Sequence, residues 1–229
     1  DFVATFWHCE CVCGRSEKAF TTQYQKWCRK HGYNFSEDKA LDIYASACRH
    51  FGVIPKTDTA KLLVEQAISQ LQTTSSALAA LKQEMQSLAA SLPEYPVVMG
   101  MFGVGSTLVP QLIAEIGDVR RFHSKKALVA FAGIDAPPYQ SGQIDVRSRS
   151  ISKRGSASLR RTLFLVMGVI LQHAPMNEPV YQFMNKKRSE GKPYRVYMIA
   201  SANKFLRIYY ARVKECLEDF DAQQNSAQS

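Results

Sequence analysis

The sequence lacks the features of a secreted or membrane-spanning protein. The longest apolar run beside its basic region, Leu163 to Leu171, is too short to span a bilayer. No charged-then-apolar signal segment opens it. The cysteine pairs of a structural zinc site are also missing. Such sites use C-x2-4-C with a second pair downstream. Here Cys9-Glu10-Cys11-Val12-Cys13 alternates instead, and the later candidates are Cys28, His31, Cys48 and His50. A strand would put those three thiols on one face. None of the six cysteines suggests a disulfide framework, so reduced thiols in a reducing cytoplasm are expected. Acidic residues are scarce in one region. Between Arg120 and Lys214 there are 19 Lys/Arg and 4 Asp/Glu, whereas the rest of the chain has 10 and 16.

What is present is a globular composition. The 229 residues are 46% apolar and 21% charged, enough for one large or two ordinary domains. The net charge of +9 exceeds what a small-molecule enzyme needs. Concentrated in one half, it favours a polyanion through counterion release. Nucleic acid is the expected partner, and no membrane is expected.

Helical periodicity dominates, so the expected fold is mainly α. Residues 1–57 form an aromatic-rich segment, with helices expected around Ala19–His31 and from Ser36 through Phe51. The capping box at Ser36 is imperfect, because its third following residue is Lys39. Residues 58–93 are the clearest element. Val64, Leu71, Leu78, Met85 and Leu92 recur every seven residues, with Ala67, Thr74, Leu81 and Leu88 between them. This a/d seam fits either a long helix packed on its own domain or a coiled coil that dimerises the chain. Pro93 and Pro96 are expected to stop it.

Residues 95–217 read as a further helical domain, with 218–229 as a polar tail whose last residues, Gln223–Ser229, are expected to be disordered. Gly103-Val104-Gly105 precedes an amphipathic helix over 106–116, and Ser124 caps a second helix that Gly133 ends. This fits a helix-hairpin-helix element that contacts DNA phosphates, since glycine permits close backbone approach and a helix start donates N–H groups. An ordinary tight turn fits the same glycines. Residues 136–152 read as a small irregular or hairpin insertion with strands near 144–151. Arg160 and Arg161 are expected in the first turn of the next helix, where cations oppose the dipole. Either solvent or an anionic ligand would account for them. Lys186-Lys187-Arg188 reads as a basic loop, and a last helix runs from Tyr194 to Leu217.

An ordered set of motifs then carries a resemblance. It comprises Gly103-Val104-Gly105, Leu112 through Asp118, Arg121-Phe122, Ala130 through Ile134 and Tyr139-Gln140-Ser141-Gly142. Ile151 through Gly155, Leu159 through Leu163, Gly191-Lys192-Pro193 and Asn203 through Arg207 complete it. Together they resemble the C-terminal transposase domain of the insertion-sequence one-ten family, which includes Piv-like DNA invertases. The resemblance covers about residues 95–216.

It implies the C-terminal part of a DNA transposase or site-specific recombinase. Ser141 would be the nucleophile that cleaves and rejoins DNA strands during transposition. Without the resemblance Ser141 would pass for an ordinary loop serine. A serine hydroxyl can attack a phosphodiester and conserve its bond energy for rejoining, but it needs activation. Asp135 and Asp145 are the nearest carboxylates in sequence, and His123 and His173 lie far from it. Arg147, Arg149, Lys153, Arg154 and Arg160 are candidates for neutralising the scissile phosphate, with Arg161 and the glycine turn as further phosphate contacts.

The family layout also implies a guide (bridge) RNA. It implies a homodimer or tetramer through the 58–92 helix and a preceding RuvC-like domain whose acidic residues bind Mg²⁺. Those acidic residues are not found here. Lys56-Thr57-Asp58-Thr59-Ala60 only superficially matches the family's acidic motif, whose second Asp would fall on Lys61. No cofactor is therefore expected in this chain. The RuvC-like domain is expected upstream of Asp1, and the chain alone is expected to be inactive. The competing readings are a non-catalytic helix-hairpin-helix DNA- or RNA-binding module and an inactive transposase remnant.

Overall fold

The computed structural model describes residues 1–50, 52–136, 140–141, 144–145 and 150–227. Their architecture is mainly α. The chain divides into two compact units, residues 1–80 and 81–229, with the boundary inside one long helix.

The first unit opens with α1 (Phe2–Thr5), α2 (Glu10–Cys13), α3 (Glu17–His31) and α4 (Glu37–Arg49). Ser16 and Ser36 start the two longer helices, each accepting a backbone N–H with its side chain. Ser36 therefore caps its helix without a carboxylate at the third following position. Gly32, in the left-handed region at φ 74°, ends α3. Phe6, Val12, Phe20, Tyr24, Trp27 and Cys28 form the core. The Trp27 indole donates to Thr5 Oγ1 at 3.0 Å and stacks 5.2 Å from the Tyr33 ring. The Cys9–Cys13 run lies at a helical turn rather than on a strand.

Helix α5 (Asp58–Ala90) follows the heptad pattern closely and carries the unit boundary. Apart from half-buried Val64, its leucines and Met85 are solvent-facing, from Met85 at 42% exposure to Leu71 at 67%.

The second unit contains α6 (Tyr95–Met99), α7 (Leu108–Ile116), a 3-10 turn (Val119–Arg121) and α8 (Lys125–Phe131). A two-residue strand pair, β1 (Gln140–Ser141) and β2 (Ile144–Asp145), comes next. Helices α9 (Ala157–His173), α10 (Pro179–Ser189) and α11 (Tyr194–Ala227) complete it. The fully buried residues Leu112, Ile116, Leu128, Leu159, Leu163, Met167 and Ile170 recur at helical spacing, and α7, α8 and α9 share one core with α11 through Phe205, Leu206 and Tyr209. No helix among the described residues is long and apolar enough to cross a membrane.

Several expectations are corrected. The long helix does end before Pro93, and Pro96 sits at the start of α6, where a missing N–H costs nothing. Lys186, Lys187 and Arg188 occupy the last turn of α10, where cations complement the helix dipole, and not a loop. The last helix continues to Ala227, because no Gly or Pro stops it after Pro193. Residues 218–227 are therefore helical. Arg160 and Arg161 follow the Ser156 cap by four and five residues, just past the dipole's strongest reach. The strand pairing lies at 140–145, N-terminal to most of the expected span.

Candidate functional site

The site is built around a clasp in the second unit. The chain leaving α8 and the chain entering α9 cross at van der Waals limits. Ser156 N donates to Phe131 O at 2.7 Å, Lys153 N to Gly133 O at 3.0 Å, and Ser152 N to Asp135 O at 2.8 Å. The Ser152 hydroxyl also donates to the Asp135 carboxylate. Two glycines make this crossing possible. A Cβ on Gly155 would lie 1.8 Å from Phe131 O, and one on Gly133 would lie 2.9 Å from Gly155 N. Gly133 also takes a φ of 65°, which glycine adopts without penalty. Ser156 ties the crossing to the core by donating to Glu115 Oε2 at 2.8 Å while it caps α9.

The Ser141 hairpin lies in sequence between the two arms of this clasp. Its backbone pairs Gln140 with Asp145 and Ser141 with Ile144 in antiparallel register. Arg147 and Arg149 lie outside the described residues, as do Tyr139 and Gly142. Lys153 and Arg154 stand exposed on the clasp itself. Lys153 is held at φ 53°, in a region β-carbon-bearing residues seldom occupy. Arg160 is half-buried and donates to Ala132 O at 3.2 Å, so it braces the clasp. Arg161 is exposed one residue further on.

The glycine turn has two different halves. Gly103, at φ 83°, is pressed against α9, where a Cβ would come within 2.9 Å of Ile170 Cγ1. The Val104 side chain is buried in the core, so only its backbone is available to a ligand. A Cβ on Gly105 would meet nothing within 4 Å. Gly105 O accepts from Leu108 N and Val109 N, and no side chain caps α7. Packing thus accounts for Gly103, while Gly105 faces open space at a helix entrance.

The charge surplus is largely uncompensated. Arg120 binds Asp118 and Asp221, Lys187 binds Glu190 and Lys214 binds Glu218. The Arg120 guanidinium holds the Asp118 carboxyl below the usual carboxylate range. Among the described residues, the other Lys and Arg side chains from 120 to 214 have no carboxylate partner. They include Arg121, Lys125, Lys126, Lys153, Arg154 and Arg161. No group of three or more His, Cys, Asp and Glu that could hold a metal ion exists among the described residues. Asp135, the described carboxylate at the clasp, is engaged by Ser152. These residues do not fit a resident Mg²⁺ ion.

Residues 95–182 match the model of the transposase IS116/IS110/IS902 family. That segment contains both glycine turns, the clasp and Ser141. Over these residues the second unit is similar to transposases of this family. The chain is 32% identical over 114 residues to the pilin gene-inverting protein of Moraxella bovis, covering 49% of this chain and 34% of that one. It is 26% identical over 177 residues to the transposase for insertion sequence element IS1111A of Coxiella burnetii, covering 77% and 47%. A putative transposase y4rJ of Sinorhizobium fredii is 29% identical over 101 residues, covering 44% and 25%. The chain thus spans from a quarter to about half the length of these curated relatives.

The second unit also has a feature that reading the motifs singly misses. Val196, Ile199, Ala200, Asn203, Lys204 and Arg207 line one groove face of α11. Their spacing follows a helical stripe, a signal present in the sequence but masked by the assignment of α11 as an ordinary basic helix.

Proposed function

We propose that the transposase domain binds DNA on its basic surface and cleaves a strand with Ser141. The clasp carries this reading: it fixes Asp135 and Ser152, which flank the Ser141 segment in sequence, onto the core, and its cations Lys153 and Arg154 have no carboxylate partner among the described residues. In the proposed step Ser141 Oγ forms a bond to phosphorus while the bond from phosphorus to one sugar oxygen breaks. The serine proton is lost and the departing sugar oxygen gains one. A second strand's hydroxyl then attacks the phosphoserine link, restoring the serine and a new phosphodiester. Lys153, Arg154 and Arg161, with Arg147 and Arg149, would offset the charge that builds on the phosphoryl oxygens.

Binding of duplex DNA should weaken with salt, with a log–log slope of about −0.9 for each phosphate contacted. Lys153→Ala and Arg154→Ala should each reduce that slope by about one. A slope near zero in the unaltered protein contradicts the basic-surface reading.

The exposed seam of α5 supports self-association through a second copy of the helix, giving a homodimer or tetramer. Leu78→Glu is then expected to shift the sedimenting species toward monomer. An unchanged species overturns that assignment. A guide RNA and a cytoplasmic location in a bacterium belong to this reading. Mg²⁺ belongs to it only through acidic residues outside this chain, and the chain taken alone is expected not to exchange strands.

A further inference from the structure

We infer that a groove beside the clasp, walled by residues that flank the Ser141 segment in sequence, holds an unpaired nucleobase of the DNA strand being cut. The inference rests on the proposed role of Ser141, and adds the state of the DNA beside it.

The groove encloses about 570 Å³, within the range of about 300–1,000 Å³ typical of small-ligand clefts. Ala136 and Ile151, at the two ends of the clasp, form one wall, and Phe183 and Ile199 contribute apolar surface. A duplex is too broad to enter such a cleft, whereas one unstacked base fits and gains from leaving water. The polar groups suit a nucleotide. The Asn203 side chain has no hydrogen-bond partner among the described residues. Its side-chain amide offers both donors and an acceptor, the pairing that base edges use. Lys204 is held 5.0 Å from the Phe183 ring centroid, and Arg207 is exposed on the next turn. Neither has a carboxylate partner among the described residues. The groove therefore joins an apolar floor, an amide and two cations without a carboxylate partner among the described residues, the combination that binds single-stranded nucleic acid. Its α10 and α11 residues lie beyond the segment that the family model matches.

The test uses the full chain and two DNA probes of equal length, one fully paired and one with a short unpaired gap containing 2-aminopurine. The gapped probe is expected to bind more tightly, and its 2-aminopurine emission is expected to change on binding. Asn203→Ala removes the amide, and Ala200→Phe fills the cleft. Each should weaken gapped-probe binding about tenfold and leave the paired probe unchanged. Unaltered helicity by circular dichroism shows that both variants fold. Equal affinity for the two probes, or variants that bind the gapped probe normally, overturns the inference. Tighter binding of an RNA strand that displaces the gapped probe overturns the choice of DNA. A covalent Ser141–DNA adduct in the gene's full product, unaffected by either variant, refutes the groove and keeps the serine. Groove-dependent binding without any adduct keeps the groove and refutes the serine.

Discussion

Ser141→Ala in the full product of the gene is expected to lower strand exchange by at least about a thousandfold, the scale of losing a covalent nucleophile. Affinity for DNA should stay within about twofold, because the proposed phosphate contacts are Lys153, Arg154 and their neighbours. The substitution removes one oxygen from a hairpin whose register is set by backbone pairing of Gln140 with Asp145. Folding should therefore be unaffected. Separation of the two effects is the point. A binding module that only holds DNA would exchange nothing in either form. An enzyme with another nucleophile would retain normal exchange at saturating DNA, and that result refutes the role of Ser141.

The second large effect concerns the clasp. Gly155→Ala is expected to destabilise the second unit by about 3 kcal/mol, read as a lower urea midpoint. The added Cβ would sit 1.8 Å from Phe131 O and 2.4 Å from Phe131 C. A backbone carbonyl cannot swing aside as a flexible side chain can. Accommodation therefore breaks the Ser156 N to Phe131 O bond and displaces the root of the Ser141 hairpin. Gly105→Ala is the matched comparison, since its Cβ meets nothing within 4 Å. Its stability should stay within about 0.5 kcal/mol of the parent, while DNA affinity should fall if the backbone there approaches a phosphate. A Gly155→Ala protein as stable as the parent would refute the tight crossing.

The helices were legible in the sequence where pattern and caps agreed. The seven-residue recurrence from Val64 to Leu92 announced α5, and Ser124 with Gly133 bracketed α8. Legibility failed where a helix lacked a stop rather than where it lacked a start. Nothing in residues 218–227 resembles an amphipathic segment, yet α11 continues through them because its core-anchored turns propagate the backbone bonds. The basic triplet 186–188 looked like a loop because charge suggests exposure. Exposure at the end of a helix is equally compatible with it.

The candidate site was half legible. The motif order located Ser141 and both glycine turns. It could not show that Gly133 and Gly155 meet, since a crossing of backbones 22 residues apart leaves no local signature. Nor could it show that Arg160 spends its guanidinium on Ala132 O. Residue type suggested an anion partner, and only the fold shows that a carbonyl takes that place. The groove of α11 was hidden for a similar reason: its wall comes from three segments distant in sequence.

The decisive measurement is the site of covalent attachment to DNA. The gene's full product would be trapped on a nicked suicide substrate, digested with trypsin and sequenced by mass spectrometry. The account predicts a phosphonucleotide on Ser141 within the peptide of residues 127–147, absent from Ser141→Ala. An adduct on another residue, or cleaved strands with free ends and no attached protein, would contradict it.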